Sequence, residues 1–569
     1  MRRRHHRTNG SSLTALLLAA LIISIIIATL CSKYNGINEA THMPPIEPNQ
    51  LNSQTNRQLS MLNIASNFDD PKSIAYKPAD SDSDEQSIVA NAAAAVHPEE
   101  IKTHTYTDLI NNAAILPKYS LKNVIEAANM YTSRYALLRY DPATDRFVAY
   151  YSNKHNWVSG CSKLAEAVRI LTIILRNTLA ERLTPDSGEL VLAISGGDYP
   201  AIDPHKYGAC LYKNEEKPCD ESLLAEAPIL HFGSVFSQPL FPNIIGMPMP
   251  RSHTDCFLNW LMSDKMPCQL FTPNQSSDET LPWDDLIPQL VWRGTDFRFL
   301  SIQNDLKRPE FNRHINGKTN PKTNQLKAAA SILRDQYYRW LPRWKGVLYT
   351  AESEIEASRT GSLPKVNIKF SDVAEGGKHA AIGAKEYQEW EKIGFPVAGE
   401  HMDEAQLSKF KYHIDLGGGG GTTWTGFVRK LGMPGLLFHH VTATKDYIHD
   451  QTQPWVHYVP VQSDLSDLME KMEWAETNQD EARLISERAT ALMKHISTSV
   501  GFEQIFDQHM LKPLIGVIDA YEPMNLKDDK AWDDAFEQLG GGDFYQFMEC
   551  TREKGCLIGK PTLSWYKGS

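Results

Sequence analysis

The sequence predicts an α/β protein in which helices cover parallel β-sheets. The first observation is a set of short apolar runs, each ending in a loop rich in glycine or polar residues, at 190–194, 290–292, 412–416, 435–439 and 457–461. The second observation is that segments with helical periodicity flank these runs, at 121–138, 162–182, 466–475 and 478–496, and that the last runs follow one another at the spacing of strands separated by helices. Strands that alternate with helices are typical of parallel sheets.

Length and charge bound the class of protein. The chain has 569 residues, which exceeds the roughly 100–200 residues of one typical domain, so two or three domains fit. Its 58 Lys and Arg residues are outnumbered by 69 Asp and Glu residues, which gives a formal net charge of −11. Such a chain lacks the basic surface that binds a phosphate backbone, and we expect no nucleic-acid partner.

The N-terminus predicts a membrane anchor. Residues 1–12 include four arginines, and residues 13–30 form a run without a charged side chain. Eighteen helical residues span about 27 Å, close to the thickness of the hydrocarbon core. We therefore predict a cytoplasmic tail at 1–12 and a transmembrane signal anchor at 13–31, with the rest of a type II protein in the lumen of the Golgi or endoplasmic reticulum. A cleaved signal peptide is the alternative.

The segment that follows predicts a flexible stem. Residues 32–105 are rich in Asn, Ser and acidic residues, which bury little surface. Further on, three pairs of nearby cysteines are candidates for disulfides in an oxidising compartment: Cys210 with Cys219, Cys256 with Cys268, and Cys550 with Cys556. Spacing alone leaves the pairing open. A glycosylation sequon begins at Asn274.

A run of glycines from Gly417 to Gly421 lies between a predicted strand and a predicted helix. Backbone N–H groups at a helix N-terminus bind phosphate, and glycine lets the ligand approach closely. The run is not a dinucleotide fingerprint, because Thr422 stands where the last glycine would be, and no Lys-Ser/Thr pair follows as in a P-loop. This spacing disfavours a nicotinamide-dependent oxidoreductase. A flexible turn and an anion site both stay open.

Two further loops carry candidate polar residues at predicted strand ends. Arg293 follows the run at 290–292 and offers a guanidinium to a phosphate, with a surface ion pair as the alternative. Asp198 follows the run at 190–194, where α/β folds place their sites. Its carboxylate suits a general base toward a hydroxyl, and a loop-capping role is the alternative.

Four segments in order resemble glycosyltransferase family 90. They are Asp198-Tyr199-Pro200, the Pro-Trp to Trp-Arg-Gly stretch at 282–294, the strand and glycine loop at 411–425, and the Pro-Trp-containing stretch at 454–468. The family contains capsule-associated fungal xylosyltransferases and animal protein O-glucosyltransferases of the Rumi type. The resemblance covers roughly residues 190–500.

This resemblance implies a GT-B-like fold, in which two Rossmann-like domains face a cleft. We assign residues 106–345 to the domain with the catalytic base, 346–524 to the nucleotide-sugar-binding domain and 525–569 to a C-terminal tail. The implied reaction moves a sugar, glucose or xylose, from a UDP-sugar to a hydroxyl of a protein or glycan acceptor with inversion at the sugar carbon. No metal cofactor is implied, and dependence on Mn²⁺ is left open.

The resemblance also implies roles for particular residues. Asp198 would be the general base. The implied donor-binding residues are Arg293, Gly294, Thr295, Gly418, Gly419, Gly420, Gly421, Thr422, Thr423, Thr425, Arg429 and Asp446, the last of which is open to a structural salt bridge instead. The sequence departs from the family where Thr425-Gly426 is followed by Phe427 and not by an arginine. A non-catalytic carbohydrate- or protein-binding relative is therefore the alternative function.

Overall fold

The computed structural model describes the folded part of the chain in segments. They are 116–130, 135–152, 161–197, 226–236, 244–248, 281–296, 342–373, 381–384, 387–388, 391, 395–418, 421–422, 425–442, 444–524, 526 and 528–558. The predicted anchor at 13–31 and stem at 32–105 lie outside these segments, as does Asp198. Within them, no helix is both long enough and apolar enough to cross a membrane.

The described residues form sixteen strands and ten α-helices, numbered in chain order. The strands are β1 Tyr119–Ser120, β2 Tyr135–Asp141, β3 Arg146–Ser152, β4 Leu190–Ser195, β5 Ile229–His231, β6 Val235–Phe236, β7 Ile244–Gly246, β8 Ile287–Thr295, β9 Val366–Asp372, β10 Phe410–Asp415, β11 Leu436–His440, β12 Thr444–Lys445, β13 Val459–Val461, β14 Tyr521–Glu522, β15 Phe544–Thr551 and β16 Gly555–Ile558. The helices are α1 Leu121–Met130, α2 Cys161–Ile173, α3 Pro342–Thr360, α4 Glu404–Leu407, α5 Thr425–Gly432, α6 Leu468–Thr477, α7 Gln479–Ile496, α8 Ser499–Phe506, α9 Lys512–Ala520 and α10 Asp529–Gln538. The fold is mixed α/β, as predicted.

The first sheet has seven strands in the order β16-β15-β3-β2-β4-β5-β7. The strands β4, β5 and β7 run parallel, whereas β16, β15, β3 and β2 pair antiparallel with their neighbours. Helices α1, α2, α8, α9 and α10 contribute to its apolar core. Local signals fix several helix starts: the Thr498 hydroxyl accepts a hydrogen bond from Gly501 N–H at the start of α8, and the Asp528 carboxylate accepts one from Ala531 N–H at the start of α10.

The second sheet has five parallel strands in the order β13-β11-β10-β8-β9. Strand β9, which follows β8 along the chain, lies on one side of β8. The later strands β10, β11 and β13 extend the sheet on the other side of β8, which is an order found in doubly wound sheets. Helices α3 and α6 share one apolar core with strands of this sheet. Helix α5 packs in a second apolar cluster with residues of β11 and α7. A parallel sheet needs such cover because both of its faces are apolar.

The carboxyl edges of the two sheets are joined. Strand β6 begins four residues after β5 ends, and it pairs with β12, which begins four residues after β11 ends. Close to this pairing, the Ser234 and Thr422 hydroxyls are hydrogen-bonded to each other and buried. Because Thr422 belongs to the glycine loop after β10, this loop lies against the segment that follows β5.

Three parts of the sequence prediction differ from the structure. The helix predicted over 121–138 ends at Met130, and Tyr135–Asp141 is strand β2. Residues 135–140 are all buried, so this strand lacks the alternation that would have distinguished it from a helix. Strand β8, grouped with the N-terminal domain at 106–345, lies in the second sheet.

The segment assigned to a tail, 525–569, also folds back. Its strands β15 and β16 extend the first sheet, and β15 pairs with β3 some four hundred residues earlier in the chain. Cys550 and Cys556 face each other across this hairpin and form a disulfide, which confirms one of the three candidate pairs. The other two pairs lie outside the described residues.

Candidate functional site

The candidate site lies at the carboxyl edge of the five-stranded sheet. In doubly wound sheets, ligands bind outside the carboxyl ends of the strands, in the crevice where the chain switches direction across the sheet. Here the switch falls between β8 and β10, because β9 lies outside β8 and the later strands β11 and β13 lie beyond β10. At this edge β8 ends with Arg293, Gly294 and Thr295, and the glycine loop follows β10.

The first residue of the glycine loop is fixed by a hydrogen bond to His440. The Gly417 N–H donates to Nδ1 of His440 over 3.1 Å, and Nε2 of His440 donates to the Ser463 carbonyl over 2.7 Å. Burial lowers the pKa of His440 to about 4, so the ring is neutral and this single tautomer satisfies both bonds. His440 thereby ties the ends of β10, β11 and β13 together.

The loop then turns toward α5. The Gly421 N–H donates to the Gly418 carbonyl over 3.0 Å, and Gly421 has φ of +86°, a left-handed conformation that favours glycine. Gly418, Gly421 and Thr422 are buried, and Thr425 is the first residue of α5. Gly419, Gly420 and Thr423 lie outside the described residues. The loop therefore leads into a helix N-terminus, as predicted for an anion site.

A buried ion pair lies immediately below this loop. The Lys430 ammonium of α5 lies 3.5 Å from Oδ1 of Asp415, the last residue of β10, and Nδ1 of His439 lies 3.3 Å from its other oxygen. The side chains of Asp415 and Lys430 are only 2% and 10% exposed. Burial lowers the pKa values of both Lys430 and His439, against the opposing effect of Asp415. No sequence motif indicated this cluster.

Arg293 lies at the end of β8, but its donors are largely used within the protein. Its Nε donates to the Glu400 carbonyl, Nη1 to the Trp292 and Asn367 carbonyls, and Nη2 to the side-chain oxygen of Asn367, over 2.8–3.1 Å. Four of its five N–H groups are thus engaged. Burial lowers the pKa of Arg293 to about 10. This geometry favours a structural role for Arg293 over a phosphate contact, which stays a prediction.

Arg429 and Asp446 are also engaged with protein partners. The Arg429 guanidinium pairs with Glu404 at 3.0 Å on the exposed face of α5, and Glu404 belongs to α4, which precedes the amino end of β10. The Asp446 carboxylate accepts a hydrogen bond from Ile448 N–H and lies 2.8 Å from Nδ1 of His449. Burial opposes protonation of His449, yet Asp446 outweighs it and the pKa of His449 is raised. The salt-bridge alternative for Asp446 is present in the structure.

Arg343 reaches this edge although no sequence motif indicated it. It is the second residue of α3, a helix that begins at Pro342 beside the carboxyl ends of the strands. Its Nη1 donates to the Thr295 carbonyl over 2.5 Å and its Nη2 to the Leu416 carbonyl over 3.1 Å. Pro342 at the first helical position was the available local signal for the start of α3. The position of Arg343 depends on how α3 packs, which local sequence does not encode.

Other features lie away from this edge. A cavity of about 330 Å³ is lined by residues that include Trp283, Pro434 and Arg483, next to the amino ends of β8 and β11. Within the described segments, no group of three or more His, Cys, Asp or Glu side chains is arranged to hold a metal ion.

The fold and this edge define the class: a doubly wound α/β protein with a glycine loop at the switch point of a parallel sheet. Residues 375–513 match the sequence model of the family described as Glycosyl transferase family 90. The predicted resemblance to glycosyltransferase family 90 is confirmed over this segment. It contains the glycine loop, Lys430 and His440, and it excludes Asp198, Arg293 and Arg343.

Several proteins show similarity to parts of the chain. Protein O-glucosyltransferase 2 of Danio rerio is 34% identical over 93 residues, which cover 15% of this chain and 17% of that protein. Protein O-glucosyltransferase 1 of Homo sapiens is 35% identical over 60 residues, 10% of this chain and 15% of that protein. Uncharacterized protein 035R of Invertebrate iridescent virus 3 is 32% identical over 134 residues, 23% of this chain and 12% of that protein. In each case the similarity spans less than a fifth of the relative's length.

Proposed function

We propose that the chain is an inverting glycosyltransferase of GT-B architecture that uses a UDP-sugar. The observation that carries the proposal is the junction of the two carboxyl edges. The glycine loop of the second sheet is hydrogen-bonded, through Thr422 and Ser234, to the segment after β5 of the first sheet. Strand β4 lies beside β5 in parallel, with Ser195 opposite His231, and Asp198 follows three residues after β4 ends. A donor at the loop and a base after β4 would therefore belong to one cleft.

The proposed reaction needs a base on one side and charge stabilisation on the other. Asp198 takes the proton of the acceptor hydroxyl, whose oxygen then forms a bond to the sugar carbon as the bond from that carbon to the phosphate oxygen breaks. The electron pair of the broken bond leaves with UDP. Backbone N–H groups of the glycine loop and the N-terminus of α5 stabilise the charge on the departing diphosphate. The family match and the relatives named O-glucosyltransferases support glycosyl transfer and favour glucose as the sugar, with xylose as the alternative.

The proposed location is the Golgi or endoplasmic reticulum lumen, behind a single N-terminal anchor. The Cys550–Cys556 disulfide supports an oxidising compartment, because disulfides are rare in cytosolic proteins. The acceptor in this proposal is a hydroxyl of a protein or a glycan. No metal is required in this mechanism, and Mn²⁺ is an arm of the test below.

One observation favours the non-catalytic alternative. Phe427 of α5, at the position where the resemblance implies an arginine, is fully buried and packs against His439, with their ring centres 4.3 Å apart. It also contacts His449 and Tyr458. The side chain at this position is therefore part of the core of α5 and cannot contact a diphosphate. A carbohydrate- or protein-binding relative would retain this packing without turnover.

The test is release of UDP by the full chain. UDP-glucose, UDP-xylose, UDP-galactose and UDP-N-acetylglucosamine are supplied with and without Mn²⁺, and Asp198→Asn is compared with Asp186→Asn, an exposed residue before β4. We expect turnover of one donor, a loss of at least about 100-fold for Asp198→Asn with an unchanged melting temperature, and no loss for Asp186→Asn. No turnover, combined with no shift of the melting temperature by UDP, contradicts the proposal and supports the non-catalytic alternative.

A further inference from the structure

The peptide group that joins Leu416 to Gly417 is hydrogen-bonded at both of its polar atoms. Its carbonyl oxygen accepts a bond from Nη2 of Arg343 over 3.1 Å, and its N–H donates to Nδ1 of His440 over 3.1 Å. This peptide group lies where the chain passes from β10 into the glycine loop. Its orientation therefore sets the direction in which the loop leaves the sheet, because a rotation of the peptide plane would break both bonds.

The ring of His440 is itself held by the segment that follows β13. His440 is the last residue of β11 and is 1% exposed, and its Nε2 donates to the Ser463 carbonyl over 2.7 Å. The next two carbonyls, those of residues 464–465, accept hydrogen bonds from Lys345 and Tyr349 of α3, each over 2.8 Å. Three consecutive carbonyls are thus engaged. The partner of the ring is therefore fixed in place by α3.

The His440 ring supplies the acceptor that the Gly417 N–H requires. Gly417 is buried, so the loss of this acceptor would leave a buried N–H without a partner or force the loop to move. Burial lowers the pKa of His440 to about 4, which keeps Nδ1 unprotonated at neutral pH. A protonated ring would have two donors and no acceptor for this N–H.

His413 of β10 offers a comparison within the same sheet. It is also fully buried, burial lowers its pKa to about 4, and its Nε2 donates to the Pro434 carbonyl over 2.9 Å. Pro434 precedes β11, at the amino edge of the sheet. The two histidines therefore share burial, charge state and one bond to a carbonyl, but the His440 ring also holds the glycine loop.

We propose that His440 is a positioning residue for the donor site, which holds the start of the glycine loop in the conformation that receives the nucleotide. This inference rests on the proposed function, because it assigns how that same site is preorganised. His440 acts through the Gly417 N–H and not by contact with the donor, since its ring is buried and both nitrogens are hydrogen-bonded. A loop that is fixed before binding loses less conformational entropy when the nucleotide binds.

Two amide variants separate the two bonds of the ring. His440→Asn presents its oxygen near the position of Nδ1 and keeps an acceptor for Gly417, whereas His440→Gln presents its NH₂ group near the position of Nε2 and keeps a donor to Ser463. Each variant loses one bond, so we expect similar losses of stability in urea unfolding. In titrations of the full chain with UDP by calorimetry, His440→Gln should bind at least fivefold more weakly, and His440→Asn within twofold of the wild type.

Two further variants complete the test. His413→Gln replaces an equally buried histidine and keeps a donor to Pro434, so this matched control should bind UDP as the wild type does. His440→Leu lacks both ring bonds but places an apolar side chain at a buried strand position. It should also bind UDP at least fivefold more weakly, and it decides the test if His440→Gln does not fold.

Two results overturn the role of His440 alone. One is unchanged UDP affinity in His440→Gln and His440→Leu. The other is an equal loss of UDP affinity in His440→Gln and His440→Asn, which indicates a general structural effect of the ring. A wild-type chain that does not bind UDP overturns the proposed function and this inference together, so the two failures are distinguishable.

Discussion

The two sheets place their buried charges differently. In the seven-stranded sheet, Arg139 of β2 lies over the ring of Trp532 at 4.4 Å, 2.9 Å from Asp529 and 3.7 Å from Glu189, whose side chain is 7% exposed. These contacts attach α10, and with it the C-terminal return of the chain, to the sheet. In the five-stranded sheet, the buried pair of Asp415 and Lys430 lies at the carboxyl edge, under a glycine loop.

The difference distinguishes polar groups that connect distant parts of the fold from polar groups that lie at the candidate site. A buried ion pair adds little net stability over apolar packing. Its location in the fold is therefore a better indication of its role than its contribution to stability. The pairs around Arg139 join elements that are distant in sequence. The pair at Asp415 joins elements that are already neighbours, β10 and α5, and lies at the carboxyl edge under the glycine loop. Three predictions test this contrast.

The largest effect is expected from Lys430→Met. This change removes the ion pair between Lys430 and the buried Asp415 carboxylate and should lower the free energy of unfolding by about 3–5 kcal/mol. The neighbouring change Arg429→Met removes an exposed pair with Glu404 and should cost less than about 1 kcal/mol. Urea unfolding of both variants measures the difference. Equal losses would mean that burial of the pair at the carboxyl edge carries no special cost.

A smaller effect concerns acid stability. Burial lowers the pKa of His413 in β10 to about 4, and its Nε2 donates to the Pro434 carbonyl. Below about pH 6.5 the unfolded chain binds a proton that folded His413 does not, so stability falls as the pH falls toward 4, by up to about 1.4 kcal/mol per pH unit and about 3 kcal/mol in all. His413→Gln should remove this part of the slope in urea unfolding between pH 6.5 and 4. An unchanged slope would show that His413 does not contribute.

The smallest effect is expected at the edge of the seven-stranded sheet. The Cys550–Cys556 bond closes a short loop, with a sequence separation of 6, and its removal in the double variant Cys550→Ser, Cys556→Ser should cost about 2 kcal/mol. UDP affinity should stay the same, because β15 and β16 lie at the far side of that sheet from β4 and β5. A loss of UDP affinity on removal of this bond would contradict the separation of the two regions.

Sequence patterns located the parallel strands well and the long-range arrangement poorly. The runs before Ser195, Arg293 and Gly417 are strands β4, β8 and β10, because strands buried on both faces appear as continuous apolar runs. The same property hid β2, because its residues 135–140 are all buried and their pattern resembles a continuation of α1. The return of β15 to β3 depends on contacts between segments about four hundred residues apart, which local periodicity does not contain.

The candidate site was predicted in part for the same reason. The glycine loop is a local pattern, and its position between β10 and α5 follows from neighbouring residues. Arg343 reaches the loop only because α3 begins at the carboxyl edge, and Arg293 is engaged within the protein, where Asn367 of β9 accepts two of its hydrogen bonds. Both facts arise from packing between elements. Motif spacing therefore predicted the glycine loop, but it did not indicate Arg343.

Hydrogen exchange with and without UDP tests the central claim most directly. The claim is that the nucleotide binds at the carboxyl edge of the five-stranded sheet. Saturating UDP should slow amide exchange at least fivefold in the segment 416–422, and leave the turn at 433–436, at the opposite edge of the sheet, unchanged. Protection confined to 281–286 and 433–436, around the cavity at the amino edge, would contradict the account, as would the absence of any protection at 416–422.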